Sequence, residues 1–219
     1  ISAACAGFSY GVGIAGYLDR NHTAKNVLVV GGEKLSEFTN PTDRATAFIF
    51  ADGAGAVVIG RAAEQGIGPT IWGSNAETRD AIMFEPSYLA FKEGTRVSET
   101  AWPNISQQGQ TVFRWAVFSV SKVGSEAIKL AGLAPSDLKA FVPHQANLRI
   151  IESMAKDMKL SPDILIADDI RTNGNTSAAS IPLAMDALLS AHPELHGQLA
   201  LIIGYGAGLA YAALVIKLP

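Results

Sequence analysis

The chain has 219 residues, of which 48% are hydrophobic and 17% charged, and its 17 basic and 20 acidic residues give a net charge of -3. This composition is typical of a globular chain with a sizeable core, and the acidic balance argues against a general nucleic-acid binder. The single cysteine excludes an intramolecular disulfide and a multi-cysteine zinc site. We therefore expect a reducing, cytoplasmic setting.

The first half of the sequence alternates helical and extended patterns. Residues 6–18 place apolar side chains on one helical side and predict a helix. Residues 27–30 form a β-branched run, which predicts a buried strand that ends at the two glycines after it. Residues 56–59 predict a second strand, entered through an Asp-Gly-Ala-Gly turn. Residues 65–104 are rich in turn signals, and we expect loops and a hairpin there.

The second half begins with a long predicted helix over residues 111–130 and a short strand over 140–142. Residues 147–159 predict an amphipathic helix. Ser177 is a plausible N-cap for a helix over 178–189, because a serine hydroxyl can accept from the first free backbone N–H groups. The residues of the amphipathic helix that we expect to point inward are Ile150, Ile151, Met154 and Met158.

Residues 199–216 carry no charge over 18 positions, which is long enough for a transmembrane helix. Gly204, Gly206 and Gly208 interrupt this stretch between two short β-like runs. A buried strand, a turn and a second strand explain the pattern better than a membrane helix, and we predict no membrane association.

The order of elements repeats. A helix, a strand and a strand that starts with Gly-Ala-Gly occur over residues 6–59 and again over 178–216. About 65 residues of helix and strand precede the second copy, whereas almost nothing precedes the first. The chain also opens at Ile1 without a Met or a signal peptide. We therefore expect a duplicated α/β structure whose N-terminal portion is missing.

Three residues are candidates for chemistry. Cys5 directly precedes a predicted helix, where the helix dipole and unpaired N–H groups favour a thiolate. His144 follows a short apolar strand, at the end where α/β proteins place their sites. Asn175 lies in a polar loop that leads into a helix. Singly, each has a more common structural explanation: an inert buried cysteine, a structural histidine and a turn asparagine.

Six short segments change that balance. They are Ala3-Ala4-Cys5-Ala6-Gly7-Phe8, Pro41-Thr42-Asp43-Arg44, Phe50-Ala51-Asp52-Gly53-Ala54-Gly55, Val142-Pro143-His144-Gln145-Ala146-Asn147, Gly174-Asn175-Thr176-Ser177-Ala178-Ala179-Ser180 and Gly204-Tyr205-Gly206-Ala207-Gly208. In this order and spacing they resemble the β-ketoacyl-[acyl-carrier-protein] synthase III family of thiolase-like condensing enzymes. The amino-acid sequences of the third and sixth segments are similar to those of actinobacterial members.

The resemblance implies a fold and a division of the chain. It implies a duplicated α/β thiolase-like fold with α-β-α-β-α layers and mixed sheets. Residues 1–105 would be the remainder of the N-terminal half, with an inserted loop region. Residues 106–219 would be the C-terminal half. The missing N-terminal portion would be needed for the protein to fold and work.

The resemblance also implies roles for single residues in an acyltransferase that starts type II fatty acid synthesis. Cys5 would carry the acyl group from acyl-CoA. His144 and Asn175 would hold the malonyl thioester of malonyl-acyl carrier protein and stabilise its enolate. The backbone N–H groups of Cys5 and Ala207 would form the oxyanion hole. Arg44 would contact CoA.

The remaining implications concern partners. Arg149 and Arg114 would form part of a basic patch that docks the acidic acyl carrier protein, although an arginine taken singly is more often a solvated surface residue. The resemblance implies a homodimer and no cofactor or metal, since acyl-CoA and malonyl-acyl carrier protein are substrates. Nothing in the sequence predicts binding to nucleic acid.

Two alternatives remain open from the sequence. The first is a related acyltransferase that makes an ester, a quinolone precursor or a polyketide starter. The second is a non-catalytic partner subunit that keeps the thiolase fold, although such a subunit has no need of Cys5, His144 and Asn175 together. The spacing Gly11-x-Gly13-x-x-Gly16 fits a dinucleotide fingerprint, but it falls inside a predicted helix, so we do not expect nucleotide binding there.

Overall fold

The computed structural model describes residues 1–94 and 101–219. Its strands are β1 (Asn26–Lys34), β2 (Asp52–Gly60), β3 (Ile71–Ser74), β4 (Ile82–Glu85), β5 (Asn104–Gln107), β6 (Ala140–Pro143), β7 (Leu165–Ile166), β8 (Leu199–Gly206) and β9 (Ala210–Lys217). Its α-helices are α1 (Gly7–Arg20), α2 (Tyr88–Gly94), α3 (Gly109–Trp115), α4 (Ser121–Leu130), α5 (Leu148–Asp157), α6 (Ile170–Asn173) and α7 (Ser180–Ala191). Part of the predicted loop region, residues 95–100, lies outside the described residues.

A mixed five-stranded sheet in the order β3-β9-β8-β6-β7 forms the centre of the molecule. β6 pairs in parallel with β7 and β8, while β9 pairs antiparallel with both β8 and β3. The uncharged stretch over 199–216 is therefore a strand, a turn and a strand, as predicted. Among the helices of the described residues, none combines the length and apolarity needed to cross a membrane.

The alternation of side chains along the central strands divides the core between the two faces of this sheet. Leu201, Ile203 and Tyr205 of β8 face one cluster, which is filled by α3, α4 and α5. Ala200 and Ile202 of the same strand face the other cluster, which is filled by α1 and α7. Because successive side chains of a strand point to opposite faces, one strand serves both cores. The four predicted inward residues of α5 are all buried.

β1 and β2 form an antiparallel ribbon that covers the far side of α1 and α7. The described part of the chain is thus layered as helices, central sheet, helices and ribbon, which confirms the predicted mixed α/β class. β4 lies in the predicted loop region and pairs antiparallel with β5, which begins at the last residue of that region, so the two form a separate two-stranded sheet joined through α2 and not the expected hairpin. β3 from the first half joins the central sheet, and the predicted division at residues 105 and 106 stays a prediction.

The predicted ends of the first two strands are wrong. β1 continues through its glycine pair to Lys34, and β2 already begins at Asp52. The glycines mark a close approach instead of a turn. A β-carbon on Gly31 would lie 2.4 Å from the carbonyl oxygen of Ala178, and one on Gly55 would lie 2.8 Å from Cγ of Pro182. These positions admit no side chain because the start of α7 lies against the ribbon.

The two central helices begin in the same way, which supports the predicted duplication. A short 3₁₀ turn, Ala4–Ala6, leads into α1, and a matching turn, Ser177–Ala179, leads into α7. The first residue of each turn is left-handed, with φ of 44° at Ala4 and 50° at Ser177. Each helix is followed along the chain by an antiparallel strand pair, β1–β2 or β8–β9.

Two helix predictions need correction. Ser177 is not a helix cap, because it lies within the 3₁₀ turn and its hydroxyl donates to Oε1 of Glu33 at 3.0 Å. The helix predicted over 111–130 runs from Gly109 to Leu130, but its middle, Ala116–Val120, is a π-helical segment.

Candidate active site

Cys5 lies in the 3₁₀ turn that enters α1, against the end of β8. The residue as a whole is half-buried. Its nearest strand neighbour is Gly206, whose missing side chain makes room for the cysteine. The left-handed φ of Ala4 turns the chain sharply just before the cysteine, a backbone conformation that is uncommon outside glycine.

The thiol of Cys5 is protonated in the resting protein. Burial of the sulfur raises its pKa to about 11, the Ser177 hydroxyl opposes that shift, and the charge of Glu33 adds to it. This reverses our expectation that the helix start would favour a thiolate. The free energy lost when a thiolate is removed from water is larger than the stabilisation that the helix start provides. A sulfur at this position would have to lose its proton to act as a nucleophile.

His144 follows β6 and is buried, with its backbone N–H donating to the carbonyl of Ile203 at 2.7 Å. Its Nδ1 lies 2.7 Å from Oγ of Ser180. The same Oγ accepts from the backbone N–H of Gln145 at 3.2 Å, so the Ser180 hydroxyl is free to donate its proton to Nδ1. The imidazole proton then belongs on Nε2.

The imidazole of His144 is uncharged at neutral pH. Burial lowers its pKa to about 3, and the backbone of Ser177 beside the ring opposes that shift. The ring of Tyr205 packs edge-on against it, with centroids 5.3 Å apart. A neutral imidazole with its proton on Nε2 is a hydrogen-bond donor that carries no charge of its own.

Asn175 is buried in the loop before α7, and its backbone is held on both sides. Its N–H donates to Ile49 and its carbonyl accepts from Ala51, each at 2.9 Å. The side-chain Oδ1 accepts from the N–H of Ser177 at 2.9 Å. Because that oxygen is occupied, the amide NH₂ is the end left to donate to a ligand.

Ser177 brings the three predicted residues together. Its hydroxyl lies beside the Cys5 thiol, its N–H donates to Oδ1 of Asn175, and its backbone lies beside the His144 ring. Sequence reasoning missed this role by interpreting Ser177 as a cap. The run Asn-Thr-Ser was visible, but its contact with Glu33 spans 144 positions of the chain, and nothing local signals it.

The other predicted residues are half-buried or exposed. Ala207 is half-buried in the turn after Gly206. Arg44 is exposed on a turn that Asp43 fixes by accepting from the Thr46 hydroxyl at 2.6 Å. Arg114 and Arg149 are both exposed and line one open groove between α3 and α5. The roles of these residues stay predictions.

We find no group of three or more His, Cys, Asp or Glu residues that could hold a metal within residues 1–94 and 101–219. His192 pairs with Glu194 at 3.0 Å. The predicted dinucleotide-like spacing Gly11-x-Gly13-x-x-Gly16 lies inside α1, away from any turn between a strand and a helix.

Comparison with known proteins shows to which family the chain belongs. Residues 1–76 match the 3-oxoacyl-[acyl-carrier-protein (ACP)] synthase III family, and residues 128–218 match its C-terminal domain. The β-ketoacyl-[acyl-carrier-protein] synthase III of Kocuria rhizophila is 49% identical over the whole chain, which covers 67% of that protein. The chain belongs to the 3-oxoacyl-[acyl-carrier-protein] synthase III family. The resemblance predicted from the six segments is confirmed.

Further relatives are actinobacterial. The β-ketoacyl-[acyl-carrier-protein] synthase III 1 of Streptomyces coelicolor is 52% identical over the whole chain, which covers 66% of that protein. The corresponding protein of Mycobacteroides abscessus is 51% identical, and the chain covers 64% of it. The chain thus spans about two thirds of the length of these relatives.

Solved structures confirm the fold of this synthase III member. The priming β-ketosynthase of the R1128 polyketide biosynthetic pathway superimposes with a TM-score of 0.95 at 39% identity, covering 100% of this chain and 65% of that one. The 3-oxoacyl-(acyl carrier protein) synthase III of Pseudomonas aeruginosa PAO1 gives 0.89 at 34% identity, covering 100% and 67%. The predicted thiolase-like fold is confirmed.

Proposed function

We propose that this synthase III member is an acyltransferase that condenses an acyl-CoA primer with malonyl-acyl carrier protein and so starts type II fatty acid synthesis. The observation that carries the proposal is the convergence of Cys5, His144 and Asn175 on Ser177. Its relatives at about 50% identity bear the name of this activity.

In the first step, the Cys5 sulfur attacks the thioester carbonyl of acyl-CoA. A C–S bond forms to Cys5 and the C–S bond to CoA breaks, giving acyl-Cys5 and free CoA thiol. The proton that the Cys5 thiol gives up is the one that CoA gains. Because the resting thiol is protonated, this transfer belongs to the acylation step and does not precede it.

In the second step, the malonyl thioester loses CO₂ and leaves an enolate. Nε2–H of His144 and the amide NH₂ of Asn175 would donate to the enolate oxygen, which is stabilisation aimed at a developing charge. Neutral donors suit this role because they are too weakly acidic to transfer a full proton to the carbanion, and such a transfer would quench it. The buried, uncharged His144 meets that requirement.

In the third step, the carbanion attacks the acyl-Cys5 carbonyl. The N–H groups of Cys5 and Ala207 would bind the resulting oxyanion. Collapse forms the 3-oxoacyl carrier-protein thioester and releases the Cys5 thiolate, which takes a proton from solvent and returns to the thiol. The glycine on each side of Ala207 gives substrate access to the backbone of that turn.

The proposed partners follow from the exposed arginines. Arg44 would contact CoA, and Arg114 and Arg149 would dock the acidic carrier protein in the groove that they share. A net-acidic protein can bind an acidic partner through such a local patch. The homodimer and the cytoplasmic setting remain part of this proposal.

A second candidate is the priming of a polyketide pathway. It is favoured by one observation, the TM-score of 0.95 with a priming β-ketosynthase. Both candidates share the acyl-Cys5 intermediate. They differ in primer and acceptor, so product analysis with fatty-acid and polyketide carrier proteins separates them.

The test is intact-mass analysis after incubation with acyl-CoA primers of different lengths. We expect one acyl group on Cys5, which neutral hydroxylamine should remove from the denatured protein as a thioester, and none on the Cys5→Ser variant. His144→Ala and Asn175→Ala should still be acylated but should lose malonyl decarboxylation by about 10²- to 10³-fold. Normal decarboxylation in both variants would show that the assigned roles are wrong.

A further inference from the structure

Glu33 reaches the active site from the ribbon. Gly31 and Glu33 are two positions apart on β1, so both face the start of α7. The close approach at Gly31 brings Oε1 of Glu33 to 3.0 Å from Oγ of Ser177 and 3.4 Å from the N–H of Ala178. No step of the proposed reaction uses this carboxylate.

The Ser177 hydroxyl is shared between Glu33 and Cys5. A hydroxyl has one proton to donate, whereas an ionised carboxylate can only accept. The Ser177 proton therefore points to Glu33 and is not available to the Cys5 sulfur. A thiolate at Cys5 would need that same proton and would compete with Glu33 for it.

We propose that Glu33 is a positioning residue: by holding the Ser177 proton, it withholds from the Cys5 sulfur the donor that would favour a thiolate. The inference deepens the proposed function, on which it rests, by assigning control over when the nucleophile becomes reactive. A protonated thiol resists stray electrophiles, since the thiolate is the nucleophile. The competition for one proton would end once the sulfur forms a thioester.

The groups around the thiol agree with this assignment. Among the described residues facing Cys5, Tyr205 of β8 and His144 after β6 are kept neutral, the first because burial raises its pKa and the second because burial lowers it. The charge of Glu33 raises the pKa of the Cys5 thiol. The neighbouring Lys34 forms an ion pair with Glu37 instead.

The test is the pH dependence of Cys5 alkylation by iodoacetamide in the full chain, followed by mass analysis of the Cys5 peptide. Glu33→Gln keeps the size of the side chain and removes its charge. Its amide can donate to Ser177 and free the hydroxyl proton for the thiolate. We expect the alkylation midpoint to fall by about one pH unit. Glu33→Asp keeps the carboxylate and should stay near the native midpoint, as should the exposed control Glu37→Gln.

A double-variant cycle distinguishes an effect of Glu33 that passes through the Ser177 hydroxyl, which we call the relay, from a direct effect of the Glu33 charge on Cys5. If Glu33 acts through the hydroxyl, Glu33→Gln should shift the midpoint much less in a Ser177→Ala background than in the native one. An equal shift in both backgrounds overturns the relay. An unmoved midpoint in Glu33→Gln, or an equal shift in Glu33→Asp, overturns the proposal.

Failure of this inference can be told apart from failure of the proposed function. The alkylation assay contains no acyl donor, whereas the proposed function requires that acyl-CoA adds an acyl group to Cys5. If the midpoint shifts but acyl-CoA does not acylate Cys5, the role of Glu33 stands and the proposed condensation is rejected.

Discussion

The backbone of Gly206 packs against the Cys5 side chain where the central sheet meets the turn before α1. A β-carbon on Gly206 would lie 2.7 Å from Cβ of Cys5 and 2.9 Å from its Sγ. Both distances are shorter than ordinary van der Waals contact. The nucleophile can therefore occupy its position only if residue 206 has no side chain.

The Gly206→Ala variant should displace the Cys5 side chain. We expect acylation by acyl-CoA to slow by at least about tenfold, because misplacing a reacting group by about 1 Å can cost on the order of 10²-fold. The measurement is the rate of acyl-Cys5 formation by intact mass. Gly32→Ala is the matched control, since nothing lies within 4 Å of its added carbon. Equal rates in both variants would contradict the prediction.

The Ser180→Ala variant should impair decarboxylation and spare acylation. It removes the hydroxyl that donates to Nδ1 of His144, so the ring is free to place its proton on the wrong nitrogen. One hydrogen bond is worth about 1 kcal/mol, which corresponds to a loss of about fivefold in malonyl decarboxylation. Ser121→Ala, at a buried serine whose hydroxyl has no hydrogen-bond partner among the described residues, should have no such effect. A loss confined to acylation would refute the assignment.

Protein stability should depend on pH through His144. Its pKa is about 3 when folded and about 6.5 in an unfolded chain. Between these values the unfolded state binds the extra proton, so the free energy of unfolding rises with pH and falls as the solution is acidified.

The measurement is the free energy of unfolding in urea between about pH 4.5 and 6. In His144→Ala the slope against pH should decrease by up to about 1.4 kcal/mol per pH unit, the value for one proton. His22→Ala changes an exposed histidine and should leave the slope close to the native one. Parallel slopes in native protein and His144→Ala would rule the prediction out.

Charge reversal in the arginine groove should act on the carrier protein alone. For Arg149→Glu and Arg114→Glu we expect the KM for malonyl-acyl carrier protein to rise several-fold at low salt, with less effect at high salt because screening weakens surface charge. The KM for acyl-CoA should not change. Lys129→Glu, an exposed reversal on α4, is the control. A similar rise in this KM for Lys129→Glu would show that the net charge of the protein, and not the arginine groove, determines binding of the carrier protein.

The sequence predicted the elements whose periodicity is local. The amphipathic pattern of α5 and the uncharged runs of β8 and β9 were assigned correctly, because each reflects burial on known faces. The glycines of β1 and β2 misled us because a glycine that admits a neighbouring backbone is indistinguishable, in one sequence, from a glycine that turns the chain. Whether Gly31 ends a strand depends on Ala178, which is distant along the chain.

The same distinction holds for the site. The sequence predicts roles for Cys5, His144 and Asn175 because each stands in a recognisable segment, and those roles stay predictions. The contact of Glu33 with Ser177 was missed because it exists only after the ribbon has packed on α7. The protonation of Cys5 was predicted in the wrong direction, since helix geometry can be inferred locally, whereas desolvation depends on everything that surrounds the sulfur.

The left-handed residues Ala4 and Ser177 begin matching turns in the two copies of the repeat, and each turn contributes different groups to the site. One helix start holds the Cys5 sulfur, and the other holds the Ser177 hydroxyl and follows the loop that carries Asn175. Gly7 and Ala178 mark where the two starts touch, since a β-carbon on Gly7 would lie 3.7 Å from that of Ala178. Neither copy contains a working centre, so a chain whose copies each fold but fail to dock would be well structured and chemically silent.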